Sequence, residues 1–116
     1  MVSSTNLYIR LTSQVTGVIL GMVHNYLVQH NTAEVATSIE SELSTALKRA
    51  QGEILDVFVL VRTITAWLGE VSAEGSQREP LDIVKGPPQS YDDRRELAYK
   101  LRQELTTQVV QQGRPQ

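Results

Sequence analysis

His24 and His30 are the only two histidines of the chain. On a helix of 3.6 residues per turn, a separation of six turns them onto different faces, so they do not form a metal-binding pair. Asp92, Asp93 and Glu96 place three carboxylates close enough to hold a cation. Arg94 and Arg95 stand among them, however, and the set reads better as a helix start whose acids offset the positive end of the helix dipole. Cysteine is absent, which removes disulfides, thiolate nucleophiles and cysteine metal sites. No serine has a recognisable base and orienting acid, and no glycine loop of the Walker type is present to cradle phosphate. The sequence therefore nominates no catalytic residue, no metal ligand and no cofactor. The expectation is a protein that is not an enzyme.

Arg94, Arg95, Lys100 and Arg102 form the one concentration of basic residues that could meet nucleic acid. Asp92, Asp93, Glu96 and Glu104 balance them one for one, as on an evenly charged solvent face. Across the whole chain, 11 basic residues against 13 acidic ones leave a net charge of -2, which creates no field to attract nucleic acid or an anionic membrane. The longest unbroken apolar run, Val57 to Val61, falls far short of the roughly 20 residues needed to span a bilayer. The first residues lack the charged-then-apolar plan of a signal peptide. These features predict a cytoplasmic or otherwise intracellular protein without a membrane span.

The elements that must position these residues read as helices of one domain covering residues 1–116. Leu11, Val15, Val18, Ile19, Met22, Val23, Tyr26 and Leu27 lie on one stripe and predict a helix over about 11–30. Just before it, Leu7, Ile9 and Leu11 alternate with Tyr8 and Arg10 as a strand would. Asn31 followed by Glu34 has the spacing of a capping box. A second helix is expected over about 32–71, because Leu47, Ala50, Ile54, Val57, Val61, Ile64, Leu68 and Val71 advance in steps of three and four, the seam pattern of a coiled coil. Unbroken, it would be a rod of about 60 Å, although Gly52, costing about 1 kcal/mol relative to Ala, marks a possible break. Val57, Val59, Val61, Thr63, Ile64 and Thr65 are β-branched and leave a buried strand within 53–65 as the alternative. Pro80, Pro87 and Pro88 make 72–90 a loop, with Leu81, Ile83 and Val84 able to pin it to the bundle. Leu97, Ala98, Leu101, Leu105 and Val109 predict a last helix over about 91–111, for which Ser90 with Asp93 offers a cap.

Between Ile54 and Val61 the seam widens, as Leu55, Phe58, Val59 and Leu60 join it. A helix apolar on all sides is normally surrounded on all sides, and the other helices of so short a chain are too few to enclose it. The sequence thus predicts an all-α helical bundle with a long central helix, assembled as an oligomer. Tyr26, Leu27, Ile39, Ile54, Val57, Phe58, Leu60, Val61, Ile64, Trp67 and Leu68 are the candidate interface between copies. Leu97, Leu101 and Leu105 are candidates for contact with another protein. The function this implies is that of a non-enzymatic structural or adaptor subunit, which oligomerises through the apolar seam and binds another protein. The alternative is a small regulatory nucleic-acid-binding protein.

The segment from Ile19 to Glu42, ILGMVHNYLVQHNTAEVATSIESE, resembles the LisH dimerisation motif. Ile19, Met22 and Val23 lead to Tyr26 and Leu27, and Ala36, Ile39 and Glu42 follow at that motif's spacing. The glycine usual in the motif's turn is Asn31 here, and the aromatic of its second helix is Ile39. The resemblance covers about a fifth of the chain. It implies a helical dimer whose interface contains Tyr26, Leu27, Ala36 and Ile39.

Overall fold

The computed structural model describes residues 6–71, 79–87 and 94–113. Along the chain these form β1 (Tyr8–Arg10), α1 (Ser13–His30), α2 (Ala33–Arg49), β2 (Ile54–Asp56), α3 (Val57–Val71) and α4 (Arg95–Gly113). The fold is mostly helical, as expected, with a small two-stranded sheet added.

Thr12 starts α1. Its backbone is extended, and its Oγ1 accepts a hydrogen bond from the Val15 amide at 3.1 Å, satisfying one of the donors a helix leaves free at its first turn. Asn31 ends the same helix, because its backbone N–H and its side-chain Nδ2 both donate to the Leu27 carbonyl. The cap of α2 then falls to Thr32, whose Oγ1 accepts from the Val35 amide at 3.3 Å. The expected Asn31–Glu34 capping box therefore does not form, because with Thr32 at the cap the third helical residue is Val35, whose side chain cannot reach back to a backbone amide. Thr32 has both the extended backbone and the hydroxyl that the position needs.

A continuous rod over 32–71 does not form. α2 ends at Arg49, and Gly52 adopts φ +92° while its N–H donates to the Leu11 carbonyl at 2.8 Å. The chain turns back there and lays Ile54–Asp56 antiparallel to β1, with Tyr8 opposite Asp56, Ile9 opposite Leu55 and Arg10 opposite Ile54. The break at residue 52 is thus real. Of the stretch 53–65, residues 54–56 are strand and 57–65 are helix. The alternation around Ile9 explains the pairing: a strand with one buried face needs a second strand to satisfy its backbone groups. The molecule measures 45 × 32 × 25 Å, shorter than the unbroken rod of about 60 Å would be.

α3, which carries the most apolar part of the expected long helix, runs for 15 residues. Asp56 caps it, its Oδ1 accepting from the Val59 amide at 3.1 Å. Thr63 to Leu68 are buried without interruption. The β-branched threonines tolerate this because their hydroxyls donate one turn back, Thr63 to the Val59 carbonyl at 2.7 Å and Thr65 to the Val61 carbonyl at 3.0 Å. Much of the cover that α3 needs comes from the chain itself, although Phe58 and Val59 in its first turn stay exposed. α4 packs on α3, and its Leu97, Leu101 and Leu105 are buried in the same core as Ile9, Leu27, Leu43 and Leu47. Leu81 and Ile83, from the segment 79–87, join that core and pin the segment, whereas Val84, the third residue expected to do so, is exposed. A count of helices alone omits this segment and the strands, which is why one chain encloses more of α3 than expected.

Candidate functional site

The residues with chemical potential are dispersed. His24 Nδ1 lies 2.8 Å from Glu40 Oε2 and ties α1 to α2, whereas the His30 ring rests against that of Tyr26 with centroids 4.3 Å apart. Among the described residues, no group of three or more histidines and carboxylates is placed to hold a metal ion. Asp92, Asp93 and Ser90 lie outside the described residues, and Glu96 is exposed in the first turn of α4. Of the four nominated basic residues, two engage the chain's own aromatics. Arg94 Nη1 donates to the Tyr26 hydroxyl at 2.9 Å, and the Arg102 guanidinium sits 5.9 Å from the centroid of the Phe58 ring.

The residues nominated for contact between copies divide sharply. Leu27, Ile39, Val57, Leu60, Val61, Ile64, Trp67 and Leu68 are buried inside one chain, as are Leu97, Leu101 and Leu105 of α4. Tyr26 is partly buried. Only Ile54 and Phe58 of that set are strongly exposed, at 57% and 50%. The LisH-like stretch forms the α1–α2 hairpin, and its Leu27, Ala36 and Ile39 belong to the interior. Trp67 is anchored there by its indole Nε1–H, which donates to Glu42 Oε2 at 3.3 Å.

A surface emerges instead at the sheet. In a paired ribbon, successive side chains alternate between faces, and residues opposite each other share one. Ile9 and Leu55 therefore occupy the inner face, where Ile9 is fully buried. Tyr8, Arg10, Ile54 and Asp56 occupy the outer face, where Tyr8 is 55% exposed. Phe58 and Val59, on the first turn of α3, are exposed as well, Phe58 beneath the Arg102 guanidinium of α4 and Val59 close to Gly86. Large apolar side chains exposed singly are ordinary, but a group of them is a feature of binding surfaces. Sequence reading did not nominate Tyr8 or Arg10. The alternation of Leu7, Ile9 and Leu11 was the available signal, since it turns the intervening side chains outward.

Beside β1 lies a cleft of about 580 Å³ lined by Arg10, Ser13, Gln14, Gln51, Gln108 and Gln111 with four neighbours. Its polar side chains bond one another, Gln14 Nε2 donating to Gln108 Oε1 at 3.1 Å and Gln51 Nε2 to the Ser13 hydroxyl at 3.0 Å. Among the described residues of the lining Arg10 alone is charged, and the remaining polar side chains offer hydrogen bonds from neutral groups. No helix among the described residues is long and apolar enough to cross a membrane. Comparison with protein-family models, with curated proteins and with solved structures gives no match.

Proposed function

We propose that this chain is a non-enzymatic structural or adaptor subunit that associates with itself and offers surface to another protein. The reading rests on the exposed group Tyr8, Ile54, Phe58 and Val59 at the junction of the sheet with α3. These side chains stand outside a core that already contains the rest of the seam. Aromatic and aliphatic groups so placed are the usual anchors of protein interfaces, and an Arg at hand is typical of them. The interface thus moves from the seam as a whole to its uncovered start, and the α1–α2 hairpin is left with a role inside the subunit.

Mass in solution, measured by light scattering from low to high micromolar concentration, tests the reading. The expected result is a dimer or higher assembly, reduced to one chain by Phe58→Ser with helix content unchanged in circular dichroism. A single-chain mass for the unsubstituted protein at the highest concentration would overturn it.

A further inference from the structure

We infer that the outer face of the β1–β2 ribbon is the contact between two copies of this chain, related by a two-fold axis along the Tyr8–Ile54 diagonal. The inference rests on the self-association proposed above and assigns it a surface and a symmetry. Four side chains mark the corners of that face: Tyr8 beside Asp56, and Arg10 beside Ile54. Tyr8 and Ile54 lie on one diagonal, the two opposite charges on the other. A dimer with a two-fold axis presents the same patch from both copies, so the patch must complement itself.

The four simple choices of axis in the plane of contact are easily compared. An axis along the strands sets Tyr8 on Asp56, where its hydroxyl can donate, but leaves Arg10 on Ile54 without an anion. An axis across the strands sets Arg10 on Tyr8, where the guanidinium can lie on the ring, but leaves Asp56 on Ile54 without a cation. The Arg10–Asp56 diagonal brings like charges together. The Tyr8–Ile54 diagonal alone places Arg10 against the Asp56 of the second copy, twice, with Tyr8 on Tyr8 and Ile54 on Ile54. Strands about 4.8 Å apart, with same-face residues about 6.7 Å apart along each, then cross at about 70°, near the orthogonal class of sheet packing.

Both charges are available for this contact. Among the described residues, neither Arg10 nor Asp56 forms an ion pair. Asp56 uses Oδ1 to cap α3, and its second oxygen can receive a guanidinium N–H. Arg10 reaches outward from an exposed position. Charge complementarity of this kind fixes the register of an interface more than its strength, while Tyr8 and Ile54 supply the apolar area.

Two single variants and their mixture test the pairing. Arg10→Glu sets Glu against Asp56, and Asp56→Lys sets Lys against Arg10, so each variant alone should dissociate at least about tenfold more readily. Mixed in equal amounts they should form a hetero-dimer, because each contact then joins opposite charges. Damage to the fold by either substitution would not be repaired by mixing. Association of both variants alone as strongly as the parent would remove this face from the contact while leaving self-association standing. Dissociation of both without recovery on mixing would overturn the pairing. A parent that is monomeric fails the broader reading as well. Because Asp56→Lys also removes a helix cap, a second measurement uses Ile54→Cys, the only thiol in the chain. On the axis it should be joined to its own copy by a short bis-maleimide, whereas Val28→Cys, exposed to a similar degree on α1, should not. Equal linking of both, or of neither, counts against the assignment.

Discussion

The side-chain amide of Gln112 brackets the backbone of Arg10, its Nε2 donating to the Arg10 carbonyl at 2.9 Å and its Oε1 accepting from the Arg10 amide at 3.0 Å. Leu11 turns its own backbone groups toward the turn before β2, so the groups of Arg10 point the other way, along the open edge of β1. Gln112 stands there in place of a third strand, one of the ways in which an edge is kept from pairing with other chains. Gln112→Ala should lower stability by about 1 kcal/mol, the usual worth of exposed hydrogen bonds, and Gln112→Glu should recover none of the donor's share. Urea unfolding followed by circular dichroism measures both.

Glu42 joins three parts of the molecule. Its Oε2 accepts from the Trp67 indole at 3.3 Å and from the Leu81 amide at 3.1 Å, tying α2 to α3 and to the segment 79–87. Glu42→Ala leaves two donors without this acceptor and should cost about 1–3 kcal/mol. Trp67 is the only tryptophan, so its emission reports the site directly. A red shift in the folded variant is expected, together with a lower urea midpoint.

Gly52 owes its identity to its backbone. A Cβ built there would meet nothing within 4 Å, so the cost of Gly52→Ala is conformational, about 1–2 kcal/mol for an L residue held at positive φ. Gly52→Asn should cost less, because Asn tolerates that region better. Thermal melts of the two variants should rank in that order.

Val61 is 1% exposed and Phe58, three residues earlier, is 50% exposed. Val61→Asp places a carboxylate in the core with no cation provided for it, a loss on the order of 3–5 kcal/mol, a large share of the roughly 5–15 kcal/mol that holds a domain together. Compared at a dilution where parent and variant are both single chains, Phe58→Ser should leave the unfolding free energy within about 1 kcal/mol of the parent. A melt as cooperative for Val61→Asp as for the parent would contradict the placement of α3.

The helical stripe of α1, the stripe of α4 and the stop at Gly52 were all legible, because each depends on neighbours in the chain. The alternation of Leu7, Ile9 and Leu11 was legible too, but its partner was not: a strand of three residues carries too little pattern to reveal what it pairs with. Leu47 and Ala50 keep phase with Val57 and Val61 across the turn, so the three-four spacing reads on through a reversal of the chain. The fate of Phe58 against Leu60 was beyond local pattern. Both are large and apolar, and only the arrival of α4 and of the segment 79–87 decides that Leu60 is enclosed while Phe58 keeps one side to solvent.

α4 completes the cover of α3 and of β1, and it is the last element of the described chain. During synthesis the flank that Leu97, Leu101 and Leu105 will close is therefore bare until the ribosome has released them. Contacts spanning up to 102 positions must wait for that moment, and such distant closures are slow. A chain whose α4 has not yet docked keeps that apolar flank uncovered, the kind of surface that makes folding intermediates prone to aggregate.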